Sequence, residues 1–85
     1  MYKVFYHPEA LKKLKRIHPN DRKRILEKII RLSQDPQNPT LDVKKLASTK
    51  RSFRLRTGDI RAIFEVNKES KTIYIWDIDY RGSIY

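Results

Sequence analysis

The sequence predicts an α+β fold of order β-α-α-β-β-β, a small antiparallel-rich twisted sheet with an N-terminal helical hairpin packed on one face. Three observations lead there. Two alternating runs meet at Thr57-Gly58-Asp59, which has the composition of a tight hairpin turn. Two basic amphipathic segments precede them, divided at His18-Pro19. A last alternating run, Thr72 to Ile78, closes the sheet.

The first element is a strand over Met1 to Tyr6, with Tyr2, Val4 and Tyr6 on one face and Lys3 and Phe5 on the other. His7-Pro8-Glu9 starts a helix, since Pro at the first helical position loses no needed hydrogen bond and Glu9 faces the positive end of the dipole. Ala10, Leu11, Leu14 and Ile17 fall at helical spacing, with Lys12, Lys13, Lys15 and Arg16 on the remaining arc. His18-Pro19 breaks this helix, and Asn20 or Asp21 is expected to cap a second one over Arg22 to Gln34. Its apolar stripe is Ile25, Leu26, Ile29, Ile30 and Leu32, opposite Arg22, Lys23, Arg24, Lys28 and Arg31. So short a link makes the two helices an antiparallel hairpin.

Asp35-Pro36 ends the second helix, and Leu41 to Lys50 is expected to be a connecting loop anchored by Val43 and Leu46. In the hairpin, Phe53 and Leu55 share one face and Arg54 and Arg56 the other. On the return strand Ile60, Ala62, Phe64 and Val66 form the core row, which sends Arg61 to the arginine face with Ile63 and Glu65. The final strand places Ile73 and Ile75 on one side and Tyr74, Trp76 and Ile78 on the other. Apolar residues on both sides indicate a central position in the sheet.

Eighty-five residues without cysteine make one small domain over 1–85, with no disulfide or thiolate metal site. No apolar run approaches the ~20 residues that span a bilayer, and MYKVFYHPEA is too polar for a signal peptide. A cytoplasmic protein with no membrane association is expected. Residues 1–56 carry 16 basic and 5 acidic side chains, net +11, whereas 57–85 carry 4 and 5, net −1. That balance points to a polyanion, nucleic acid first, with an acidic protein partner or a solubilising surface as alternatives.

The available chemistry is narrow. Both histidines precede prolines at helix boundaries, a context for caps more than for catalysis, and no His and carboxylate spacing suits a metal. With glycine only at 58 and 82 there is no phosphate loop, so no cofactor is expected. Arginine, lysine and tyrosine remain, and they suit RNA cleavage by attack of the 2′-OH on its own phosphodiester. There charge builds on phosphate oxygens that fixed guanidinium groups can stabilise. Arg61 is the best-held donor, and Arg81 and Tyr85 follow the last strand. The competing reading is a solvated face on which Arg54, Arg56 and Arg61 pair with Glu65, Asp77 and Asp79, and which binds RNA, DNA or protein passively.

These residues carry a resemblance to the RelE/ParE superfamily of toxins from toxin-antitoxin pairs. It covers nearly the whole chain: HPEALKKLKRI, DVKKL, RLRTGDIRAIFEV and IYIWDIDYRGSIY. Its sharpest part is R-L-R-x-G-x-x-R, followed 20 residues on by Arg81, itself four residues before Tyr85. RelE-like members imply a metal-independent, ribosome-dependent endoribonuclease that cuts mRNA in the A site, leaving a 2′,3′-cyclic phosphate and a 5′-OH. By position Arg61 resembles the arginine that stabilises the transition state. Arg81 resembles the one proposed to protonate the leaving oxygen, and Tyr85 the tyrosine that orients or deprotonates the 2′-OH. Arg54 matches a lysine of the phosphate-binding set and Arg56 the basic position beside it. Lys45, Lys50 and Arg51 complete the expected RNA-binding residues.

The chain departs from the pattern at Ser52, where some members have a catalytic lysine, at Tyr80 for a common His or Lys, and at Ser83 for a second arginine. The resemblance also implies an acidic antitoxin that folds as it wraps the basic surface. ParE relatives, which poison gyrase without these nuclease residues, give the alternative function. A non-toxic basic nucleic-acid- or protein-binding module is a third.

Overall fold

The computed structural model describes residues 1–47 and 51–80. Its elements are β1 (Lys3–Tyr6), α1 (Pro8–Arg16), α2 (Pro19–Gln34), β2 (Asp42–Lys45), β3 (Ser52–Thr57), β4 (Ile60–Asn67) and β5 (Thr72–Tyr80). The strands form one sheet in the order β1-β5-β4-β3-β2, with β1 parallel to β5 and every other pair antiparallel. The expected α+β class and antiparallel-rich sheet are therefore present.

Each helix begins at a His-Pro pair. His7 Nδ1 accepts the Glu9 amide at 3.1 Å and His18 Nδ1 the Asn20 amide at 3.2 Å, with Pro8 and Pro19 in the first turn. Both histidines are thus caps. The second helix starts at Pro19, earlier than the expected Arg22, because His18 does the capping assigned to Asn20 or Asp21. From the end of β1, α1 runs beside β5, and α2 returns until the Ser33 carbonyl accepts the Tyr2 amide at 2.8 Å.

Ala10, Leu14 and Ile17 of the α1 region and Ile25, Ile29 and Leu32 of α2 join Leu55, Ile60, Ala62, Phe64, Ile73, Ile75 and Ile78 in one core. Each fully buried large side chain there is worth about 1.5–3 kcal/mol. Leu11 and Ile30, expected inside, are exposed.

Two further expectations are corrected. The segment after α2 is not wholly a loop: Asp42 to Lys45 pairs with β3 as an edge strand, making the order β-α-α-β-β-β-β. And Ile78 lies in the core with Ile73 and Ile75, not on the opposite side. The register explains it. Ile63 stands opposite Asp77 while the next residue, Phe64, stands opposite Ile75, so Trp76 is an unpaired bulge residue. The extra residue shifts the alternation by one.

The turn between β3 and β4 has Gly58 at φ +58° and joins the pair Thr57 and Ile60, the geometry of a two-residue hairpin with glycine at its first central position. A Cβ at residue 58 meets nothing within 4 Å, so a substitution there acts through the backbone alone. Gly58→Ala is expected to lower unfolding free energy by about 1–2 kcal/mol in urea titration. An unchanged midpoint would contradict a left-handed Gly58.

Candidate functional site

The sheet has one face against the helices and one turned away from them. In register, the outward face carries Arg56 of β3 opposite Arg61 of β4, which stands opposite Asp79 of β5. The next row holds Lys44, Arg54, Ile63 and Asp77. The alternation that sends Phe53, Leu55, Ala62 and Phe64 inward is what sends these residues outward.

Arg61 is buried, only 6% exposed, although it lies away from the helices. A guanidinium held in mid-strand with little solvent is well placed to act on an anion, since electrostatic interactions strengthen where water is excluded. Arg56 is exposed and its Nε donates to the Gly58 carbonyl at 3.2 Å, which ties it to the hairpin turn. Arg54 pairs with Asp42 at 3.0 Å, with its side chain 15% exposed. That partner differs from the acids that the passive reading assigned. Asp77 and Asp79 also pair with Lys13 of α1, at 3.1 and 3.3 Å.

The structure therefore brings Arg54, Arg56 and Arg61 to one face. It does not bring the other expected contacts there. Lys45 is in register with Phe53, on the helix side, while Lys44 occupies the arginine face. Arg51 sits at the opposite end of β3 from Arg56, beside a concavity of about 490 Å³ bordered by Glu65, Lys68 and Tyr74. Lys50, Arg81 and Tyr85 lie outside the described residues, as does Ser83.

Two features carry no signal in the residue pattern. The Tyr80 hydroxyl accepts the His18 amide at 3.0 Å and donates to Asp21 at 3.2 Å, fixing the end of β5 to the junction of the helices just before Arg81. The Lys13 bridge holds α1 to the same strand. Its hydrogen bond to Asp77 raises the Lys13 pKa above 10.5, opposed by desolvation and reinforced by Asp79. Burial pushes the Tyr6 phenol up. Among the described residues no three His, Asp or Glu side chains gather to hold a metal, and no helix is long and apolar enough to cross a membrane.

Known proteins share this fold. Residues 4–85 match the family described as the ParE toxin of type II toxin-antitoxin systems, parDE. No curated protein matches the sequence. Among solved structures, the chain is similar to the archaeal RelE-RelB complex from Pyrococcus horikoshii OT3, at 33% identity and TM-score 0.82, covering 96% of this chain and 97% of that one. The RelB-RelE antitoxin-toxin complex from Methanococcus jannaschii gives 31% identity and TM-score 0.80, covering 96% and 95%. Isolated E. coli RelE toxin, at 16% identity and TM-score 0.81 over 100% and 92% of the chains, shares the fold.

Lys13→Met is expected to lower stability by about 1 kcal/mol at neutral pH, the scale of partly exposed ion pairs. Because the folded pKa is raised, the bridge contributes in full below the ordinary lysine value of 10.5 and is lost as pH rises through the higher folded value. Denaturation curves of the two proteins should converge only in that alkaline range. A constant difference beyond it would contradict the bridge.

Proposed function

This chain belongs to the ParE toxin family of type II toxin-antitoxin systems, within the RelE/ParE superfamily, and from that premise we propose that it is a ribosome-dependent endoribonuclease that cuts mRNA in the A site. The observation that carries the nuclease reading is the buried Arg61, set on the sheet face beside Arg56 and Arg54. Such a row matches the charge that builds on a phosphodiester when its 2′-OH attacks. The 2′-oxygen forms a bond to phosphorus and the bond to the 5′-oxygen breaks, giving a 2′,3′-cyclic phosphate and a 5′-OH. Arg61 stabilises the phosphate oxygens. In this reading Arg81 protonates the leaving oxygen and Tyr85 orients or deprotonates the 2′-OH, roles that rest on the family resemblance. The site is metal-independent, and the protein acts in the cytoplasm.

The partner is an acidic antitoxin. Similarity to two RelE-RelB complexes supports this, and so does a groove of about 340 Å³ on the helix side of the sheet. Val43, Phe53, Phe64 and Val66 line the groove, with Arg51 and Lys68 also on its wall, which suits an amphipathic acidic segment that folds on binding. Inhibition of gyrase is the second reading, favoured by the match to the ParE family.

Mapping of mRNA ends after induction separates the two. New 5′-OH ends within translated frames, reduced by about 10²- to 10³-fold in rate with Arg61→Ala, are the expected result. A DNA-damage response with intact translation would favour gyrase instead. Lys12 and Arg24 are exposed, whereas Lys13 is engaged with Asp77 and Asp79, so ribosome docking is assigned to the former pair. Lys12→Ala with Arg24→Ala is expected to weaken ribosome binding and to flatten its salt dependence, by about 1 in logarithmic slope for each phosphate that is no longer neutralised. A salt slope equal to that of the unaltered protein would count against that surface.

A further inference from the structure

The outward face of the sheet carries aromatic rings that the phosphate chemistry leaves unused. Phe5 and Tyr74 stand opposite each other across β1 and β5, on the face of Glu65. The bulge adds Trp76, whose ring centroid is 4.6 Å from that of Tyr74, edge to face. His7 closes the group, 5.7 Å from Trp76 and 6.4 Å from Tyr74. Phe5 is 50% exposed and Trp76 44%. Single apolar residues on a surface need no explanation, but rings gathered on the sheet face turned away from the helices mark a contact surface. The bulge strengthens the point, because bulges recur beside functional sites where they re-aim a side chain.

We propose that Phe5, Tyr74 and Trp76 form a stacking platform for unpaired bases of the RNA strand whose backbone is held at Arg56 and Arg61. The inference deepens the nuclease reading and rests on it for the choice of RNA. Trp76 is three residues along the sheet and one strand across from Arg61, about 11 Å at ordinary strand spacings, within reach of a short single strand. Every base has a π face, and stacking on an aromatic side chain is worth about 1–3 kcal/mol per base.

The charges around the platform set where a bound backbone can run. Glu65 stands opposite Tyr74, and Asp77 and Asp79 follow Trp76 along β5, bound to Lys13. These carboxylates repel an acidic protein segment laid across the rings. They repel phosphates too, and so direct the backbone to the arginines, with Arg56 and Arg61 on one side and Arg51 and Lys68 in the concavity that Tyr74 borders on the other. Neutral rings are what the surface between them accepts.

Trp76 is the sole tryptophan, so its fluorescence reports on the platform directly. The test titrates the full chain with a short 2′-O-methyl adenylate oligonucleotide, which cannot be cleaved by its own 2′-oxygen, and separately with inorganic polyphosphate. Quenching by the oligonucleotide and not by polyphosphate is expected. Trp76→Leu is expected to weaken binding of a labelled oligonucleotide by about 5- to 100-fold, and Trp76→Phe to stay within about threefold of the unaltered protein. Should Trp76→Leu fail to fold by circular dichroism, Phe5→Leu at the exposed end of the group serves, with a loss of about fivefold or more. Equal quenching by polyphosphate, or unaltered binding by the folded leucine variant, overturns the platform. Its fate is separable from that of the nuclease: stacking without new mRNA ends keeps the platform and removes the nuclease, while cutting without stacking does the reverse.

Discussion

Strand β5 must remain paired with β4 along its length and still deliver Ile73, Ile75 and Ile78 to one core. Strict alternation from Ile75 would instead turn Asp77 and Asp79 inward, and burying carboxylates without partners costs several kcal/mol each. The unpaired Trp76 resolves the conflict. It keeps the isoleucines inside, leaves the aspartates where Lys13 reaches them, and turns a large ring outward. The separation of an apolar face from a charged one along β5 depends on that shift of phase, while Arg61 is placed by the alternation of β4 itself.

The two sides of the sheet consequently do different work. Helices α1 and α2 cover the apolar side, each started by a histidine cap and a proline, and their exposed lysines and arginines form a basic outer surface. The other side concentrates Arg54, Arg56 and Arg61, held by Asp42, by the Gly58 carbonyl and by burial. On the helix side, Tyr80 anchors the end of β5 to His18 and Asp21. Tyr80 therefore has a structural role.

Much of the fold is legible from residue order because each local signal agrees with the tertiary result. Gly58 marks the hairpin, and period-two alternation places Arg61 opposite the core row. Other features leave weaker traces. Strand β2 reads DVKK, with one apolar residue among charges, and an edge strand gains its hydrogen bonds from β3 without needing a hydrophobic pattern. The cap at His18 is hidden because histidine is outside the usual capping residues, although the matching His7-Pro8 pair repeats the same arrangement. A bulge has no fixed sequence signature, so apolar residues at 73, 75, 76 and 78 read as a two-sided strand. Of the candidate RNA-binding residues, Arg54, Arg56 and Arg61 follow from alternation. Lys45 does not, since its side of the sheet is set by the pairing of β2, which has no alternation of its own.

In the function proposed for this chain, a single-stranded RNA lies on the sheet face turned away from the helices, between guanidinium groups on β3 and β4 and rings on β1 and β5. Chemical-shift mapping with a non-cleavable RNA oligonucleotide tests that placement most directly. Perturbations are predicted to gather on the arginine side chains of residues 54, 56 and 61 and on the indole of Trp76. Perturbations centred on Lys23, Arg24 and Lys28 of α2, with Arg61 and Trp76 silent, would contradict it.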